Sequence, residues 1–515
     1  MPRSSPVFKL AAVALIGLVI CALLVPFNHD EGQYVAASAL VARGLMPFVD
    51  FAYLQTPVQP YVYAPLEWLA PGWHYLAVRL ANAVAVAAAL LLLGKTAGRL
   101  AGDDRAGWIA IMLAMFCDSV LFAGSVARND ALPFLLLTAS LERLFGGADE
   151  PGRGRVFIAG VLAALAASTK ISYAFPAAAI GLQTLIAVRR GGFDRKMAIL
   201  AGLFLGGLPI LIFLALAPKS FFFGVYTYSL DAVRAWQTLS GHAHRTGILS
   251  RFARVLRFLI QGSLLPLCLA ALWIRLRAPR TVGAGQRLGI GLGPILLAAL
   301  VGVVLPMPPY RHYMVPLVAP LLLWLAAHGW TSLAPLLDRP RLPRALVAGI
   351  AIIAVGGLTR TANDLVRAPL AKRPLQVERQ AHQIGRLLAL AGPGEIAGLE
   401  PSRLIDSGVP FDRRFAAGPF LFRAGNLPAC ADPTLCPVTF ASVDRLNQNP
   451  PTYVVTGQER LLPIGMPGGL DGALVRWARG NGFVEHTLGG HDRLWIAPRS
   501  AISGRNFTAH DGRER

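Results

Sequence analysis

The segment NHDEGQYVAASALVARGLMPFVDFAYLQTPVQPYVYAP, residues 28–65, follows a strongly apolar stretch near the start of a chain of 515 residues. It combines the carboxylates of Asp30, Glu31 and Asp50 with several tyrosines and prolines. Its first half predicts a helix that begins at Glu31, with Asp30 as its N-cap and Gly44 at its end. Acidic side chains next to a bilayer are costly and often functional, so this segment is the first candidate for a site.

The composition is that of a membrane protein. Hydrophobic residues make up 54% of the chain and charged residues 15%, whereas soluble domains have about 25% charged residues. Apolar blocks recur along the first two thirds, which predicts many spanning helices rather than one anchor. The net charge of +21 lies mainly in short gaps between these blocks, as in proteins whose basic loops set their orientation. No basic stripe alternates with stacking aromatic residues, so we do not expect nucleic acid as a partner.

The predicted fold class is an α-helical polytopic membrane protein with about eleven transmembrane helices, because that many stretches approach the required ~20 apolar residues. Residues 156–188 can form either two short spans or one re-entrant pair. Lys and Arg concentrate in alternate gaps, which places the N-terminus inside and the first loop, residues 27–73, outside. The basic segment 218–254 breaks this alternation and is predicted to be an amphipathic helix on the outer surface. The predicted spans are residues 7–26, 74–94, 107–126, 130–146, 156–169, 171–188, 197–217, 255–274, 288–305, 314–334 and 345–359.

The chain divides into a membrane domain, residues 1–360, a C-terminal α/β soluble domain, residues 361–499, and a disordered tail, residues 500–515. The stretch RQAHQIGRLLALAG predicts a helix in the second domain, and PTYVVTG and GFVEHTLGGHDRLWIAP predict strands. Cys430 and Cys436 flank ADPTL and can form a small disulfide loop if this domain faces an oxidising compartment.

Four polar segments fall on the predicted outer side: the first loop, VARNDALP, STKISY and MPPYRHY. Taken singly, each has a structural explanation as a helix cap, an interfacial aromatic belt or a headgroup anchor. Taken together on one face, they favour a shared site. Its candidate binding residues are Asp50, Tyr53, Tyr61, Arg128, Asp130, Lys170, Tyr310, Arg311, His312 and Tyr313.

The residue types of these segments suggest a chemistry. Arg128, Lys170 and Arg311 can bind phosphate. Asp30 or Glu31 can accept a proton from a hydroxyl group as general base. A carboxylate base and cations at a lipid boundary favour group transfer from a phosphate-bearing lipid.

The chain resembles the GT-C superfamily of membrane glycosyltransferases, in the branch of protein O-mannosyltransferases, lipid A aminoarabinose transferase and lipopolysaccharide galacturonosyltransferases. The resemblance rests on DEGQY after the first span, on GLMPFVDFAYLQTPVQPY, and on ARNDALP, STK and YRHYMVPLVAP. It implies Asp30 as catalytic base, with Glu31 and Asp50 supporting the site. Gln33 stands where the aminoarabinose transferases have Arg, and Phe48 stands where Tyr is common.

The resemblance implies an inverting glycosyltransferase that takes a sugar from a polyprenyl-phosphate donor at the outer face of a membrane. Its acceptor would be a hydroxyl group of a lipid, lipopolysaccharide, another cell-envelope glycan or a protein. The implied location is a bacterial inner membrane, with the site and the C-terminal domain in the periplasm. No cofactor is required by the residues, and a divalent ion such as Mg²⁺ or Mn²⁺ on Asp30, Glu31 and Asp50 stays open. A transporter or flippase of lipid-linked substrates and a non-catalytic membrane scaffold are the alternatives.

Overall fold

The computed structural model describes residues 6–147, 149–186, 193–277, 290–459 and 468–498. The predicted tail from residue 500 lies outside the described residues. Helices dominate the first 367 residues. They are α1 (Pro6–Leu24), α2 (Glu31–Ala42), α3 (Val58–Tyr63), α4 (Pro65–Leu69), α5 (His74–Ala101), α6 (Asp104–Met115), α7 (Asp118–Ser125), α8 (Ala131–Phe145), α9 (Arg153–Thr169), α10 (Ala174–Ile186), α11 (Phe193–Leu216), α12 (Pro218–Phe222), α13 (Val233–Leu239), α14 (Ile248–Gln261), α15 (Leu264–Arg277), α16 (Leu292–Val304), α17 (Val315–Leu337) and α18 (Arg344–Arg367).

The chain is an integral membrane protein. Five helices of the described chain are long and apolar enough to cross a bilayer: α1, α5, α11, α17 with the turn before it, and α18. Two bent pairs, α6–α7 and α14–α15, raise this number to seven if each pair counts as one span. The shorter apolar helices include α10 and α16.

Two predicted spans are wrong as straight helices. The stretch 107–126 bends by 73° between α6 and α7, and the stretch 255–274 bends by 95° between α14 and α15. The second break follows Gly262, and Ser263 there has a positive φ of 62° that no continuous helix contains. A hydropathy window averages composition and carries no information on direction, so it cannot detect such a corner.

Small residues bring the helices of the membrane part close together. A Cβ atom added to Gly160 of α9 would clash with the backbone of α11, and one added to Gly202 or Gly206 of α11 would clash with the backbone of α9. Close approach through small residues is the usual way in which spanning helices pack. α5 lies at the centre of the bundle, where Val86, Leu90 and Leu93 are fully buried.

The C-terminal part contains a small mixed sheet flanked by helices. β1 pairs with β2 in parallel, and β4 pairs antiparallel with both β2 and β3, in the order β1-β2-β4-β3. The strands expected from PTYVVTG and from GFVEHTLGGHDRLWIAP are present, and the three-residue β1 had no sequence signal. Cys430 and Cys436 are joined by a disulfide. The elements are α19 (Pro374–Ala389), β1 (Ile396–Gly398), α20 (Pro419–Phe422), β2 (Tyr453–Thr456), α21 (Asp471–Gly480), β3 (Val484–Gly489) and β4 (Asp492–Ile496).

The C-terminal part is attached to the membrane part at the first turn of α5. The carboxylate of Asp406 accepts hydrogen bonds from the backbone N–H groups of His74 at 2.8 Å and Tyr75 at 3.0 Å. Glu378 of α19 accepts one from the N–H of Leu76 at 3.0 Å. The first N–H groups of a helix have no partner within the helix, so these two carboxylates cap α5 from a distant part of the chain.

Candidate active site

Glu31 anchors the start of α2. Its carboxylate, which is fully buried, forms two hydrogen bonds with the Arg79 guanidinium of α5, both 2.7 Å long. It also accepts hydrogen bonds from the backbone N–H groups of Asn28 at 2.6 Å and Ala127 at 2.8 Å. Because both oxygens are occupied by these donors, Glu31 holds α2, α5 and the turn before α8 in one arrangement.

Asp30 is a partly exposed carboxylate next to the buried Glu31. It occupies the N-cap position of α2, but its side chain makes no capping hydrogen bond and pairs with the Arg128 guanidinium instead. The Asp30 side chain is 29% exposed, whereas that of Arg128 is 4% exposed. A ligand that enters this site can therefore reach the carboxylate without displacing the buried cation.

Arg128 and Lys170 share a second carboxylate beneath Asp30. The Nε atom of Arg128 lies 3.2 Å from Oδ2 of Asp130, and Lys170 pairs with the other oxygen of Asp130. Asp130 is only 1% exposed. We call Asp30, Arg128, Asp130 and Lys170 the charge cluster. Its two carboxylates balance its two cations, so the three buried groups, Arg128, Asp130 and Lys170, carry no unpaired charge.

A 3₁₀-helical turn formed by Arg311–Met314, just before α17, closes one side of the charge cluster. Nη2 of Arg128 donates to Nε2 of His312 at 3.1 Å, and since a guanidinium can only donate, this nitrogen is the acceptor. The Lys170 ammonium lies 5.2 Å from the centre of the Tyr313 ring. The rings of His312 and Tyr313 are 4.4 Å apart. These contacts bring residues of VARNDALP, STKISY and MPPYRHY next to one another.

Arg311 lies beside the charge cluster and has partners of its own. Its Nη1 is 3.0 Å and 3.2 Å from the two oxygens of Asp118 at the start of α7, and its Nη2 is 3.5 Å from Asp364 of α18. It also lies 3.9 Å from the Phe122 ring centre, and Arg128 lies 5.8 Å from the same ring. Both guanidinium groups therefore lie near the same aromatic ring.

Two predicted residues, Asp50 and Tyr61, have their closest contacts elsewhere. Asp50 accepts a hydrogen bond from the backbone N–H of Met46 at 2.8 Å and lies 3.7 Å from Arg413 of the C-terminal part. The ring of Tyr61 lies against Phe213 of α11, with ring centres 6.1 Å apart.

Tyr53 is buried, and its hydroxyl donates to Gln59 at 3.4 Å. Tyr310 is 41% exposed and stacks on His312 with ring centres 5.9 Å apart. Tyr310 thus forms an accessible wall of the site, whereas Tyr53 belongs to the packing behind it.

The carboxylates of Asp30, Glu31 and Asp50 do not form a metal-ligand set. In the described ranges, no group of three or more His, Cys, Asp or Glu side chains could hold a metal ion. Glu31 pairs with Arg79, and Asp30 pairs with Arg128. Asp50 accepts a hydrogen bond from a backbone N–H and lies near Arg413.

The C-terminal part also reaches the segment that carries Asp30. Nδ1 of His29 lies 3.3 Å from the Glu459 carboxylate, and its ring lies 5.1 Å from that of Phe420. Burial, followed by the positive charges of Arg423 and Arg128, lowers the pKa of His29 to about 3. The imidazole is therefore neutral near pH 7 and adds no cation next to Asp30.

Sequence reasoning missed Arg79 and Asp118, although each left a signal. Arg79 is a single arginine near the start of a long apolar helix, and Asp118 interrupts an apolar stretch. Ionisable residues in such positions usually face a partner inside the protein. The charged residues that predicted the site lie in loops, and Arg79 and Asp118 lie in helices. The pairing of Glu31 with Arg79 and of Arg311 with Asp118 was therefore not predicted.

Comparisons with known proteins show the fold. No protein-family profile and no curated protein sequence matches the chain. The crystal structure of ArnT from Cupriavidus metallidurans bound to undecaprenyl phosphate is similar, with a TM-score of 0.60, 15% identity, and coverage of 95% of this chain and 97% of that one. For the apo state of the same protein the TM-score is 0.59, the identity 15%, and the coverage 96% and 98%.

The apo oligosaccharyltransferase of Archaeoglobus fulgidus is also similar, with a TM-score of 0.52, 12% identity, and coverage of 88% of this chain and 70% of that one. At these identities the likeness establishes architecture. The chain has the GT-C fold that its sequence predicted, as an α-helical membrane protein with a small C-terminal sheet.

Proposed function

We propose that this protein is a glycosyltransferase that moves a sugar from a polyprenyl-phosphate donor to a hydroxyl group of a lipid, lipopolysaccharide or other cell-envelope acceptor. The observation that carries the proposal is the part-exposed Asp30 carboxylate, which is paired with a buried arginine in a balanced charge cluster. The fold adds support, since a solved structure of this architecture, ArnT, holds undecaprenyl phosphate.

In the proposed reaction, Asp30 accepts the proton of the acceptor hydroxyl, and the oxygen of that hydroxyl attacks the anomeric carbon of the sugar. The bond from that carbon to the phosphate oxygen breaks, and the phosphate leaves with the electron pair. A single displacement of this kind inverts the anomeric configuration. Glu31 is proposed as the positioning residue that fixes α2, because Arg79 and two backbone N–H groups already bind its oxygens.

The charge cluster links proton transfer to phosphate departure. When Asp30 becomes neutral, Arg128 loses one of its two carboxylate partners and regains an uncompensated positive charge beside the leaving group. Lys170 stays paired with Asp130, and Arg311 stays paired with Asp118, so these two cations contribute from fixed positions. Preorganised cations that meet developing negative charge are a major source of rate acceleration.

The remaining candidate residues line the approaches to this centre. We propose that Tyr310, Tyr313 and His312 offer flat faces to the sugar. Tyr61, which is 42% exposed, is proposed to contact the prenyl chain. Asp50 and Tyr53 are proposed to stabilise the loop in which these residues lie.

An outward orientation in a bacterial inner membrane is part of the proposal. The disulfide between Cys430 and Cys436 supports it, because structural disulfides persist in oxidising compartments such as the periplasm.

The test is transfer from a panel of radiolabelled polyprenyl-phosphate sugars to a lipid and envelope extract by the protein purified in native lipid. We expect Asp30→Asn to lower the rate by about 10²–10⁴-fold, because the amide keeps the shape and loses the base. Asp231→Asn, an exposed carboxylate that pairs with Arg234, is the matched control.

Wild-type protein without transfer from any donor would contradict the proposed function and favour the flippase or the scaffold. Undiminished transfer by Asp30→Asn would overturn the assignment of the base. Thermal unfolding of both variants checks that they are folded.

A further inference from the structure

A basic amphipathic helix lies beside the charge cluster. In α14, ILSRFARVLRFLIQ, the arginines Arg251, Arg254 and Arg257 recur every third residue and share one face. Four large apolar residues share the opposite side and are at least half exposed. They are Leu249, Phe252, Leu256 and Ile260. Such a helix is typical of the membrane interface, where it lies in the plane of the headgroups.

The orientation of α14 agrees with an interfacial position. The axes of α14 and α15 differ by 95°, so the two helices are nearly perpendicular. α15 ends with Arg275 and Arg277, which lie at the far end from α14. If α15 crosses the bilayer, as its composition indicates, α14 is parallel to the membrane surface.

The described hydrogen bonds of the α14 arginines go to backbone carbonyls. Arg251 donates to the carbonyl of Leu305 at 3.3 Å, and Arg254 donates to the carbonyl of Pro309 at 3.4 Å. In the part of the chain that the structure describes, no ion pair within 4 Å involves Arg251, Arg254 or Arg257. Backbone carbonyls orient the guanidinium groups without neutralising them.

A fourth arginine extends this surface onto α18. Arg360 is exposed, and it interacts electrostatically with Arg257, with Arg311 and with Asp118 and Asp364. Those two carboxylates already bind Arg311.

Arg254 in turn experiences the positive charge of Arg257. We call Arg254, Arg257 and Arg360 the arginine row. The row and Arg311 together have four guanidinium groups, and the carboxylates near them are those of Asp118 and Asp364. The region therefore has a net positive charge.

We propose that the arginine row binds the phosphate group of an anionic phospholipid of the surrounding leaflet. The planar guanidinium fork matches phosphate oxygens, and several arginines at an interface attract lipids with a net negative charge. The exposed apolar side of α14 is in place to contact the acyl chains of the same lipid. The row shares no residue with the charge cluster, although Arg254 lies 5.5 Å from the centre of the Tyr310 ring at the edge of the candidate site. This proposal does not depend on the proposed function.

The test uses the full chain in nanodiscs of equal parts phosphatidylglycerol and phosphatidylcholine, with lipid retention measured by native mass spectrometry. We expect R257Q/R360Q to lose the preference for phosphatidylglycerol, by about fivefold for each arginine removed. The matched control is R234Q/R479Q, which removes two exposed arginines that have carboxylate partners and are outside the row. The control should keep the wild-type preference.

Equal retention of phosphatidylglycerol by wild type and R257Q/R360Q would overturn the proposal. So would a similar loss in R234Q/R479Q, because it would show a general effect of net charge.

A third arm adds polyprenyl phosphate in amounts equal to phosphatidylglycerol. Complete displacement of the phospholipid by it would assign the row to a different lipid and also overturn the proposal. The single variant R257Q, at an exposed position, replaces the double variant if the latter does not fold.

Discussion

Two pairs of carboxylates in this molecule have opposite surroundings. In the charge cluster, Asp30 and Asp130 each contact a cation, and Arg128 bridges them. At the junction of the two parts of the chain, Glu378 and Asp406 contact each other and the backbone N–H groups of α5.

The protonation of the junction pair reflects its burial. Burial, and then the negative charge of Asp406, raise the pKa of Glu378 to about 9, and burial raises the pKa of Asp406 as well. Near pH 7 Glu378 is therefore protonated and can donate a hydrogen bond to Asp406. Burial is the largest cause of both pKa shifts, and for Glu378 the neighbouring carboxylate adds to it.

The largest effect is expected where a buried cation is removed. Arg79→Met leaves the fully buried Glu31 carboxylate without its cation, which should lower the free energy of unfolding by about 3–5 kcal/mol. The double variant Arg79→Met/Glu31→Gln should recover part of that loss, because no uncompensated charge remains. SDS-induced unfolding in mixed micelles measures both. Equal losses in the single and double variants would show that packing rather than charge dominates at this position.

The junction is the next region to break. Asp406→Ala removes the acceptor for the N–H groups of His74 and Tyr75, and each buried unsatisfied donor costs about 1–3 kcal/mol. We expect the C-terminal part to be released sooner by limited proteolysis, while the charge cluster stays intact. Asp432→Ala, at an exposed position in the same part of the chain, is the control. An unchanged proteolysis rate for Asp406→Ala would mean that other contacts hold the junction.

The pH dependence of the junction sharpens the comparison. Glu378 keeps its proton up to about pH 9 in the folded protein, whereas the unfolded side chain, with an ordinary value of 4.5, loses it much earlier. The folded state therefore binds more protons between these values, so its stability falls as the pH rises through this window. Glu378→Gln, which cannot ionise, should flatten the decline. Melting temperatures from pH 6 to pH 10 test this, and equal slopes for both proteins would contradict the raised pKa of Glu378.

The smallest effect concerns the turn before α2. Asn28 accepts hydrogen bonds from the backbone N–H of Asp30 at 3.1 Å and from Nη1 of Arg128 at 3.2 Å. Asn28→Ala should cost about 1 kcal/mol of stability, the net value of a typical hydrogen bond. It should also reduce the rate of transfer more than the affinity for substrate, because it loosens the Asp30–Arg128 pair. A change in affinity alone would place Asn28 outside the catalytic geometry.

Much of the fold was predictable from the sequence because apolar length and basic gaps are local signals. The segments that carry Asp30, Arg128, Lys170 and His312 were identified separately, and their one-sided placement indicated that they would meet. The contacts of Glu31 were not predictable in this way, since Arg79 lies in an apolar helix and Ala127 contributes only its backbone N–H.

The corner between α14 and α15 and the cap on α5 were also beyond sequence reasoning. The corner depends on the backbone of one serine, and the cap joins residues 332 positions apart. No periodicity or composition window connects positions so distant.

The capped start of α5 has a consequence for the order in which the protein is made. His74 leaves the ribosome 332 residues before Asp406, the side chain that binds its N–H group. At usual rates of synthesis that interval is on the order of tens of seconds. During this time water has to solvate the first turn of the central helix, since its permanent acceptors have not been translated. The membrane bundle therefore reaches its final hydrogen bonding late, and chains that terminate before residue 406 lack the acceptor of the His74 and Tyr75 N–H groups.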